Sequence, residues 1–481
     1  MEKLCAEGVE IKMEKRVVKI KKRKQEKKKK FRKFWKLGEE EFNTQYFSIS
    51  RDHDLIVREG NYQYNIFDLV QKFGSPLEVA FPFIVERRYL DLVQTFNYHI
   101  KDRGYKGRFF YHYPMKVNQN KEVVLPLISE GANLETGSYN ELWLVRKLWE
   151  QGQVDSRIRV ICNGPKTDNY LGLVRELKEK GLSIIPIIED LNEFDALKQY
   201  RGEVGVRVKL DIRVKSRWDK KVDRYGLSAE DIYGLGRIRN LKILHYHVGS
   251  QTMHKDDLIA AVKKAIGIYI RIKKSNPSLD TLDMGGGMAI PYEKKKHYNT
   301  SSVIKSIVSV LKKTCDKEGI PHPNLICEWG RYMVAPAQIT IFKILTEKPI
   351  DYGIAKNWYI VDGSFMNDLI DTWAIHQKWH IAPVNNMRNE KLTRVWLAGS
   401  SCDSDDRYTA GGSYILLPRL EDLDSSEHQY IALFDSGAYQ DSLASHHCLL
   451  SSPAKIIAQN GVLTVARRRE SPEEVGKMFG W

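Results

Sequence analysis

Cysteine and long apolar runs are both scarce in this sequence. Only six of its 481 residues are cysteine, and they are scattered without a CxxC pair. This spacing excludes the disulfide framework of small secreted proteins. No run approaches the roughly 18 apolar residues of a membrane-spanning helix, and the first ten residues lack the apolar core of a secretory signal. We therefore expect a reduced, cytoplasmic protein with no transmembrane segment.

Positive charge is abundant, but it is concentrated in one segment. Between Lys12 and Lys36, fifteen Lys and Arg residues face two acids, so of the net charge of +15 only +2 belongs to the remaining chain. Residues 1–38 are predicted to form a disordered basic tail, which is compatible with weak contacts to polyanions such as RNA or anionic lipid. The aromatic residues Phe31, Phe34 and Trp35 leave a contact with a membrane surface open.

Eight short strand-like segments recur between residues 108 and 330, and amphipathic helical stretches separate most of them. The segments are RFFYHYP, NLETGS, RIRVICNG, LSIIPIIE, VGVRVKL, KILHYHVG, TLDMGGG and NLICEWG. Strands connected by helices pair in parallel, and eight is the number that closes a (β/α)8 TIM-like barrel. We predict an α/β fold with this barrel over residues 78–340.

The chain changes character after residue 340. Segments such as WYIVDGS, RVWLAG, GGSYILLP and QYIALFD alternate or are rich in β-forming residues, with few long helices between them. This pattern predicts a mostly β C-terminal domain over residues 341–481. The β-branched and aromatic content of residues 39–77 predicts N-terminal strands that join this domain.

Lys116 closes the aromatic segment YHYPMKVNQN (111–120), where the first barrel strand gives way to a loop. Desolvation at such a place lowers the pKa of a lysine and makes it nucleophilic, and a nucleophilic lysine can form a Schiff base with a carbonyl cofactor. A lysine that snorkels from a strand end is the alternative.

Two loops at the same rim have the residues of a phosphate site. Three glycines (285–287) follow the seventh strand, and EWGR (328–331) follows the eighth; these are the loops that bind phosphate in many barrels of this kind. A Schiff-base lysine beside a phosphate site indicates pyridoxal 5′-phosphate. Glu328 can hold the pyridine nitrogen of this cofactor protonated, whereas a structural salt bridge is its alternative role.

Two further motifs carry candidate site residues. In HYHVGSQ (245–251), His247 suits stacking on the cofactor ring, whereas His245 is expected to pack. Zinc is discounted because no further Cys/His set has suitable spacing. In SCDSDDRY (401–408), the thiol of Cys402 suits a proton donor and the carboxylates suit a cationic substrate, although a solvated acidic turn has the same composition.

With these motifs assembled, the chain resembles the fold-type III pyridoxal-phosphate decarboxylases, which share the barrel of alanine racemase. Within that group it is most similar to the biosynthetic arginine decarboxylases over roughly residues 40–460. The matching motifs occur in the same order: YPMKVNQN, LETGS, ICNGPK, LHYHVGSQ, LDMGGG, GIPHPNLICEWGR, IDTWAIHQ, CDSDD and GAYQ.

The resemblance implies decarboxylation of L-arginine to agmatine for polyamine synthesis, with the following roles. Lys116 carries the cofactor, His247 stacks on its ring and Glu328 pairs with its pyridine nitrogen. Cys402 protonates the substrate carbon, and Asp403 and Asp371 hold the distal cation. The residues implied around the phosphate are Ser250, Gly286, Gly287, Gly330, Arg331 and Tyr439.

The resemblance also implies a homodimer with active sites shared between subunits, and it leaves a requirement for magnesium open. Asp406 and Trp329 depart from the family pattern near the site, so they are candidates for altering substrate choice. The alternatives are decarboxylation of lysine or ornithine by the same fold, and a non-catalytic regulatory homologue.

Overall fold

The computed structural model describes residues 30–212, 214, 224–423 and 428–481. Residues 1–29 of the predicted tail lie outside this part. Residues 30–38 differ from the prediction, because Phe31 and Trp35 are buried and Trp35 Nε1 donates a hydrogen bond of 2.9 Å to the carbonyl of Met387. Side chains four residues apart share one face of a helix, so both rings pack inward. This packing removes them from the proposed membrane contact.

The first strands form a small sheet of their own. Strands β1 (Phe47–Ile49), β2 (Leu55–Glu59) and β3 (Tyr62–Asn65) pair antiparallel, and helix α1 (Ile66–Phe73) leads to β4 (Leu77–Ala80). Strand β4 is buried along its length and enters the large C-terminal sheet. The strands predicted over residues 39–77 form this separate sheet, whereas the strand that enters the sheet of the β domain is β4, which begins at residue 77.

The next eight strands pair in parallel and close a barrel, as predicted. Leu325 on the last strand pairs with Phe109 on the first, which completes the ring. Five isoleucines fill its interior as a separate apolar cluster: Ile161, Ile185, Ile187, Ile243 and Ile326. The strands are β5 (Phe109–Pro114), β6 (Asn133–Thr136), β7 (Arg159–Cys162), β8 (Ser183–Ile188), β9 (Val204–Arg207), β10 (Leu241–His245), β11 (Thr281–Asp283) and β12 (Asn324–Cys327).

Helices surround this barrel, and polar caps fix the start of several of them. The side chains of Ser138, Thr167, Asp190, Ser228 and Asn299 each accept a backbone N–H from the first turn of a helix. The helices are α2 (Pro82–Asp102), α3 (Lys121–Ser129), α4 (Tyr139–Glu150), α5 (Asp168–Glu179), α6 (Leu191–Leu197), α7 (Ala229–Leu235), α8 (Lys255–Ser275) and α9 (Thr300–Glu318).

The rest of the chain builds the mostly β domain that the sequence predicts. Its ten-stranded sheet centres on β13, which pairs with β4, β14 and β19, while β4 also pairs with β20. The elements are α10 (Gly330–Val334), β13 (Gln338–Pro349), β14 (Asn357–Val361), α11 (Asp371–Ile375), β15 (Ile381–Pro383), β16 (Leu392–Ala398), β17 (Arg407–Tyr408), β18 (Ile415–Pro418), β19 (Tyr430–Leu433), β20 (Ala454–Gln459), β21 (Val462–Arg467) and α12 (Pro472–Met478).

One loop of the β domain reaches the rim of the barrel. The backbone N–H of Tyr439 donates to the carbonyl of Val117 at 2.8 Å, and Asn118 Nδ2 donates to the carbonyl of Gly437 at 2.9 Å. The two domains therefore meet directly beside Lys116. None of the helices in the described part of the chain has both the length and the apolar character needed to cross a bilayer.

Candidate active site

The carboxyl ends of the barrel strands surround a cavity of about 690 Å³. Every residue that we predicted to contact a cofactor lines it: Lys116, His247, Ser250, Gly286, Gly287, Glu328, Gly330, Arg331 and Tyr439. Eight of these nine come from loops after barrel strands, and Tyr439 comes from the β domain. The cavity size is typical of a site for a small cofactor together with a substrate.

Lys116 lies in the short turn after β5, and its side chain is exposed to the cavity. The carboxylate of Glu135, at the end of β6, raises the pKa of Lys116 above the ordinary lysine value and outweighs the opposing effect of burial. Burial thus acts in the direction that we expected, but the net shift is upward, so the expected lowered pKa of Lys116 is wrong. The cause is an acid on the neighbouring strand, outside the motif that carries the lysine.

A buried acidic group forms the floor of the cavity. Asn163 Nδ2 donates a hydrogen bond of 3.2 Å to Glu328 Oε1. His245 Nδ1 lies 3.1 Å from Asp283 Oδ2 and 3.7 Å from Glu328 Oε1. Burial raises the pKa of Glu328, raises that of Asp283 to about 7, and lowers that of His245 to about 4. A cationic N–H donor offsets the cost of ionising such a buried acid.

The expectation that His245 merely packs is incomplete, because its imidazole contacts Asp283. The two residues are register partners at the ends of β10 and β11. Their shared position at two neighbouring strand ends was readable in the sequence. Asp283 directly precedes the three glycines, so the phosphate motif alone does not indicate its pairing with an imidazole.

His247 is oriented by the glycine loop. The backbone N–H of Gly286 donates a hydrogen bond of 3.0 Å to His247 Nδ1. A Cβ atom at residue 286 would lie 2.8 Å from His247 Cε1, and one at residue 287 would lie 2.6 Å from Val248 Cγ2. Only glycine fits this close approach of the loop to the imidazole.

Arg331 brings a fixed positive charge to the cavity wall. Its Nη1 donates to Tyr292 OH at 2.6 Å and to Asp371 Oδ2 at 3.1 Å, and its guanidinium lies 4.5 Å from the ring centroid of Tyr439. Its Nε is buried and has no hydrogen-bond partner among the described residues. An anionic group in the cavity would satisfy this donor.

Three predicted residues do not line the cavity. Asp371 is buried, and its carboxylate pairs with Arg331, so the structure does not place it where a substrate cation would bind. Cys402 is instead exposed and Asp403 is half-buried on a loop of the β domain, where Asp403 Oδ2 lies 3.0 Å from His447 Nε2. The family resemblance implied a distal binding role for Asp371, but a carboxylate pairs equally well with an internal arginine.

The two departures from the family pattern have different surroundings. Trp329 lines the cavity and packs against Phe96, with ring centroids 5.7 Å apart. Asp406 is buried, and its carboxylate accepts the backbone N–H groups of Phe365 at 2.7 Å and Ser401 at 3.1 Å. Asp406 therefore holds the loop that carries Cys402 rather than facing the cavity.

Other residues of the lining were missing from our predicted site. Glu135, Asn163 and Arg207 were not assigned a function, although each lies at the carboxyl end of a barrel strand. Arg207 Nη1 pairs with Glu189 at 3.3 Å, which holds the guanidinium at the cavity wall. The position of these residues at strand ends indicated a place at the cavity, but glutamate, asparagine and arginine at strand ends also serve structural roles.

One group in the described part of the chain has the geometry of a metal site, with potential ligand atoms of His245, Asp283 and Glu328 within 4.8 Å of one another. Magnesium prefers six oxygen ligands, including several waters. A buried set that includes an imidazole does not fit that preference, so this group gives no support to a magnesium site.

The remaining features fit a phosphorylated pyridine aldehyde. The amine of Lys116, a glycine loop and Arg331, whose Nε has no partner among the described residues, all line the same cavity. Glu328 lines it too and offers an acid to a ring nitrogen. This arrangement defines a barrel enzyme that forms a Schiff base with its cofactor.

Comparison with known proteins gives the family. Residues 91–335 match the pyridoxal-dependent decarboxylases through their pyridoxal binding domain. The chain belongs to this family, and pyridoxal 5′-phosphate is its cofactor.

Two relatives illustrate the similarity in sequence. The chain is 26% identical over 409 residues to the biosynthetic arginine decarboxylase of Phocaeicola vulgatus, covering 75% of this chain and 62% of that protein. It is 26% identical over 480 residues to arginine decarboxylase 2 of Oryza sativa subsp. japonica, covering 79% of this chain and 77% of that protein. The chain thus spans less than two thirds of the length of the Phocaeicola protein.

Two solved structures share the fold. The biosynthetic arginine decarboxylase of Campylobacter jejuni superposes with a TM-score of 0.76 and 21% identity over 89% of both chains. Diaminopimelate decarboxylase from M. jannaschii superposes with a TM-score of 0.77 and 21% identity, over 90% of this chain and 97% of that one. These similarities establish the arrangement of barrel and β domain.

Proposed function

We propose that this chain is a carboxy-lyase that removes the α-carboxylate of L-arginine, giving agmatine and carbon dioxide for polyamine biosynthesis. The observation that carries the proposal is one cavity lined by Lys116, the glycine loop, Arg331 and Glu328. The names of the relatives supply the choice of arginine.

The position of each residue in the cavity indicates its role. Lys116 holds the cofactor covalently, and Gly286, Gly287 and Arg331 hold its phosphate. Glu328 keeps a proton on the pyridine nitrogen, with Asn163 as the hydrogen-bond donor that orients its carboxylate. The bound cofactor supplies an electron sink for the bond that breaks when carbon dioxide leaves.

Three other side chains support this arrangement. His247 offers its ring face to the cofactor, held in place through Nδ1 by the Gly286 N–H. Ser250 and Tyr439 complete the wall around the phosphate. Asp371, in place of its expected contact with the substrate, holds Arg331 in position.

The proton donor and the distal acid come from a second subunit in this proposal. Cys402 is exposed, Asp403 is half-buried, and both lie outside the cavity of their own chain. This position supports a homodimer whose partner brings both residues to the site. The thiol of Cys402 then protonates the substrate carbon, and the carboxylate of Asp403 binds the distal cation. All five cysteines of the described residues are free, which supports a reducing, cytoplasmic setting.

The test is a substrate panel on purified protein. Carbon dioxide release is measured with L-arginine, L-lysine, L-ornithine and diaminopimelate in parallel, with and without added pyridoxal 5′-phosphate. We expect cofactor-dependent release that is fastest with arginine. Borohydride reduction followed by mass spectrometry should place the cofactor on Lys116, and Lys121→Ala, an exposed lysine in the next helix, is the matched control for Lys116→Ala.

The outcomes separate the parts of the proposal. Faster release from another substrate would refute arginine and keep the carboxy-lyase. Bound cofactor with no release from any of the four would support a non-catalytic homologue instead. Cofactor retained covalently in Lys116→Ala would refute the assignment of this lysine.

A further inference from the structure

Outside the cavity, behind the segment that carries Tyr439, charged side chains form a buried group that we call the Lys455 cluster. Lys455 on β20 is 2% exposed. Its ammonium lies 3.5 Å from Glu78 Oε2, 3.4 Å from Glu122 Oε1 and 2.5 Å from Asp441 Oδ2. Three carboxylates from separate parts of the chain thus converge on one ammonium.

Arg467 on β21 is the second cation of the cluster. Its guanidinium lies 2.8 Å from Glu78 and 3.2 Å from Asp441. Burial raises the pKa of Glu78 to about 7. Burial also opposes the charge of Lys455, but Asp441, Glu78 and Glu122 outweigh it and raise its pKa. Lys455 therefore stays charged. Its removal would take away the ammonium that pairs with Glu122 and would leave Glu78 and Asp441 to Arg467.

The cluster connects two elements of the active site. Glu122 lies in the first turn of α3, six residues after Lys116, and belongs to the barrel. Asp441 lies two residues after Tyr439 and belongs to the β domain. Lys455 consequently ties the helix that follows the cofactor lysine to the segment that reaches the phosphate end of the cavity.

The Tyr439 segment has a strained backbone that requires support. Tyr439 has a φ of 70°, in the left-handed region that side chains other than glycine rarely adopt. Its N–H donates to the carbonyl of Val117, and its ring lies over the guanidinium of Arg331. The Tyr439 segment therefore contacts both the turn that carries Lys116 and the guanidinium of Arg331.

We propose that Lys455 is a positioning residue for pyridoxal phosphate, which fixes the Tyr439 segment against the Lys116 turn through Asp441 and Glu122. It touches neither cofactor nor substrate and acts through the two elements that do. The inference rests on the cofactor site of the proposed function and does not depend on which amino acid is the substrate.

The test measures cofactor affinity rather than activity. Cofactor-free parent, Lys455→Met and Lys455→Arg proteins are titrated with pyridoxal 5′-phosphate, following the visible absorbance of the bound cofactor. We expect the Kd to rise by about tenfold or more in Lys455→Met, since small displacements of binding groups have effects of this size. Lys455→Arg, which keeps the charge, should recover most of the affinity.

If Lys455→Met does not fold, Glu122→Gln is the second test. This variant removes only the carboxylate that the barrel contributes, and it leaves Lys455 paired with Glu78 and Asp441. We expect a several-fold higher Kd in this variant too. The matched control is Lys242→Met, which breaks a half-exposed 2.7 Å pair with Asp280 on the barrel and should leave the Kd unchanged.

The outcomes decide whether Lys455 positions the cofactor site. A lower unfolding temperature with an unchanged Kd in Lys455→Met, or an unchanged Kd in Glu122→Gln if the first variant does not fold, would show a purely structural role and overturn the inference. Failure of the parent protein to bind the cofactor would instead overturn the proposed function, and this inference with it.

Discussion

The backbone N–H of Gly286 donates a hydrogen bond of 3.0 Å to Nδ1 of His247. Nδ1 is thus an acceptor, and the neutral imidazole carries its proton on Nε2. This contact fixes both the tautomer and the direction of the ring face at the cavity wall. It joins the loop after β11 to the loop after β10, so the two predicted contacts of the cofactor depend on each other.

Substitution of Gly286 tests this dependence. In Gly286→Ala the new Cβ would lie 2.8 Å from His247 Cε1 and 3.2 Å from the carbonyl of Glu328, so we expect the imidazole to move and cofactor affinity to fall by about tenfold. Titration with pyridoxal 5′-phosphate measures this. Gly267→Ala is the control, since no atom lies within 4 Å of its Cβ and alanine favours a helix interior by up to about 1 kcal/mol. Equal affinity in both variants would contradict the prediction.

Glu328→Gln tests the acid at the floor of the cavity. The amide cannot take the negative charge that stabilises a protonated ring nitrogen, so we expect carbon dioxide release at saturating cofactor to fall by about a hundredfold. The absorption spectrum of the bound cofactor should change as well. Glu318→Gln, at the exposed end of α9, serves as the control. A spectrum and a rate like those of the parent would show that Glu328 has only a structural role.

Buried Asp368 gives the protein a pH-dependent stability. Burial raises the pKa of this carboxyl to about 8, while the N–H of Ser364 donates to it at 2.8 Å. The folded state therefore holds a proton that the unfolded state releases near the ordinary aspartate pKa of about 4. This bound proton stabilises the folded state fully below a pH of about 4. The stabilisation declines as the pH rises from there and is lost above a pH of about 8.

We accordingly expect Asp368→Asn to lose less stability than the parent between pH 5 and 8.5, with a difference of about 4 kcal/mol, because each pH unit between 5 and 8 contributes about 1.4 kcal/mol. Urea unfolding at several pH values measures the effect. Asp52→Asn, at an exposed turn, should follow the parent curve. Parallel curves for the parent and Asp368→Asn would mean that Asp368 is ionised in the folded protein at neutral pH.

The packing of residues 30–38 predicts that substitution of Trp35 lowers the stability of the protein far more than substitution of its neighbour Phe34. Trp35 is 4% exposed and donates to the carbonyl of Met387, whereas Phe34 is 44% exposed. We expect Trp35→Ala to lower the free energy of unfolding by about 3–5 kcal/mol. Phe34→Ala should cost much less, and equal costs would indicate that this segment does not pack on the fold. Chemical denaturation of both variants is the measurement.

Shared active sites predict complementation between inactive variants. Lys116→Ala and Cys402→Ala should each lack decarboxylation, because one loses the cofactor anchor and the other the proton donor. Random reassociation makes half of the dimers mixed, with one intact site in each, so the mixture should regain about one quarter of the parent rate. Carbon dioxide release after co-refolding measures this, and no recovery would place Cys402 in the site of its own chain or outside any site.

Local patterns decided much of the fold and of the site. The alternation of strands and helices from residue 108 to 330 fixed the barrel, because parallel strands need such crossovers and eight of them close. The same alternation placed Lys116, His247, Glu328 and Arg331 at carboxyl strand ends, which meet at one rim. Residue type and strand position were sufficient for these four.

The sequence by itself thus determined the predicted cofactor contacts of the cavity, since strand ends and glycine loops follow from local spacing, but it did not assign Glu135, Asn163 or Arg207 to the lining. Tertiary structure alone decided their electrostatics and their partners. Glu135 raises the pKa of Lys116 from a neighbouring strand, and Asp371 pairs with Arg331 forty residues away. Charge interactions depend on distance and burial, and neither is encoded within a single motif.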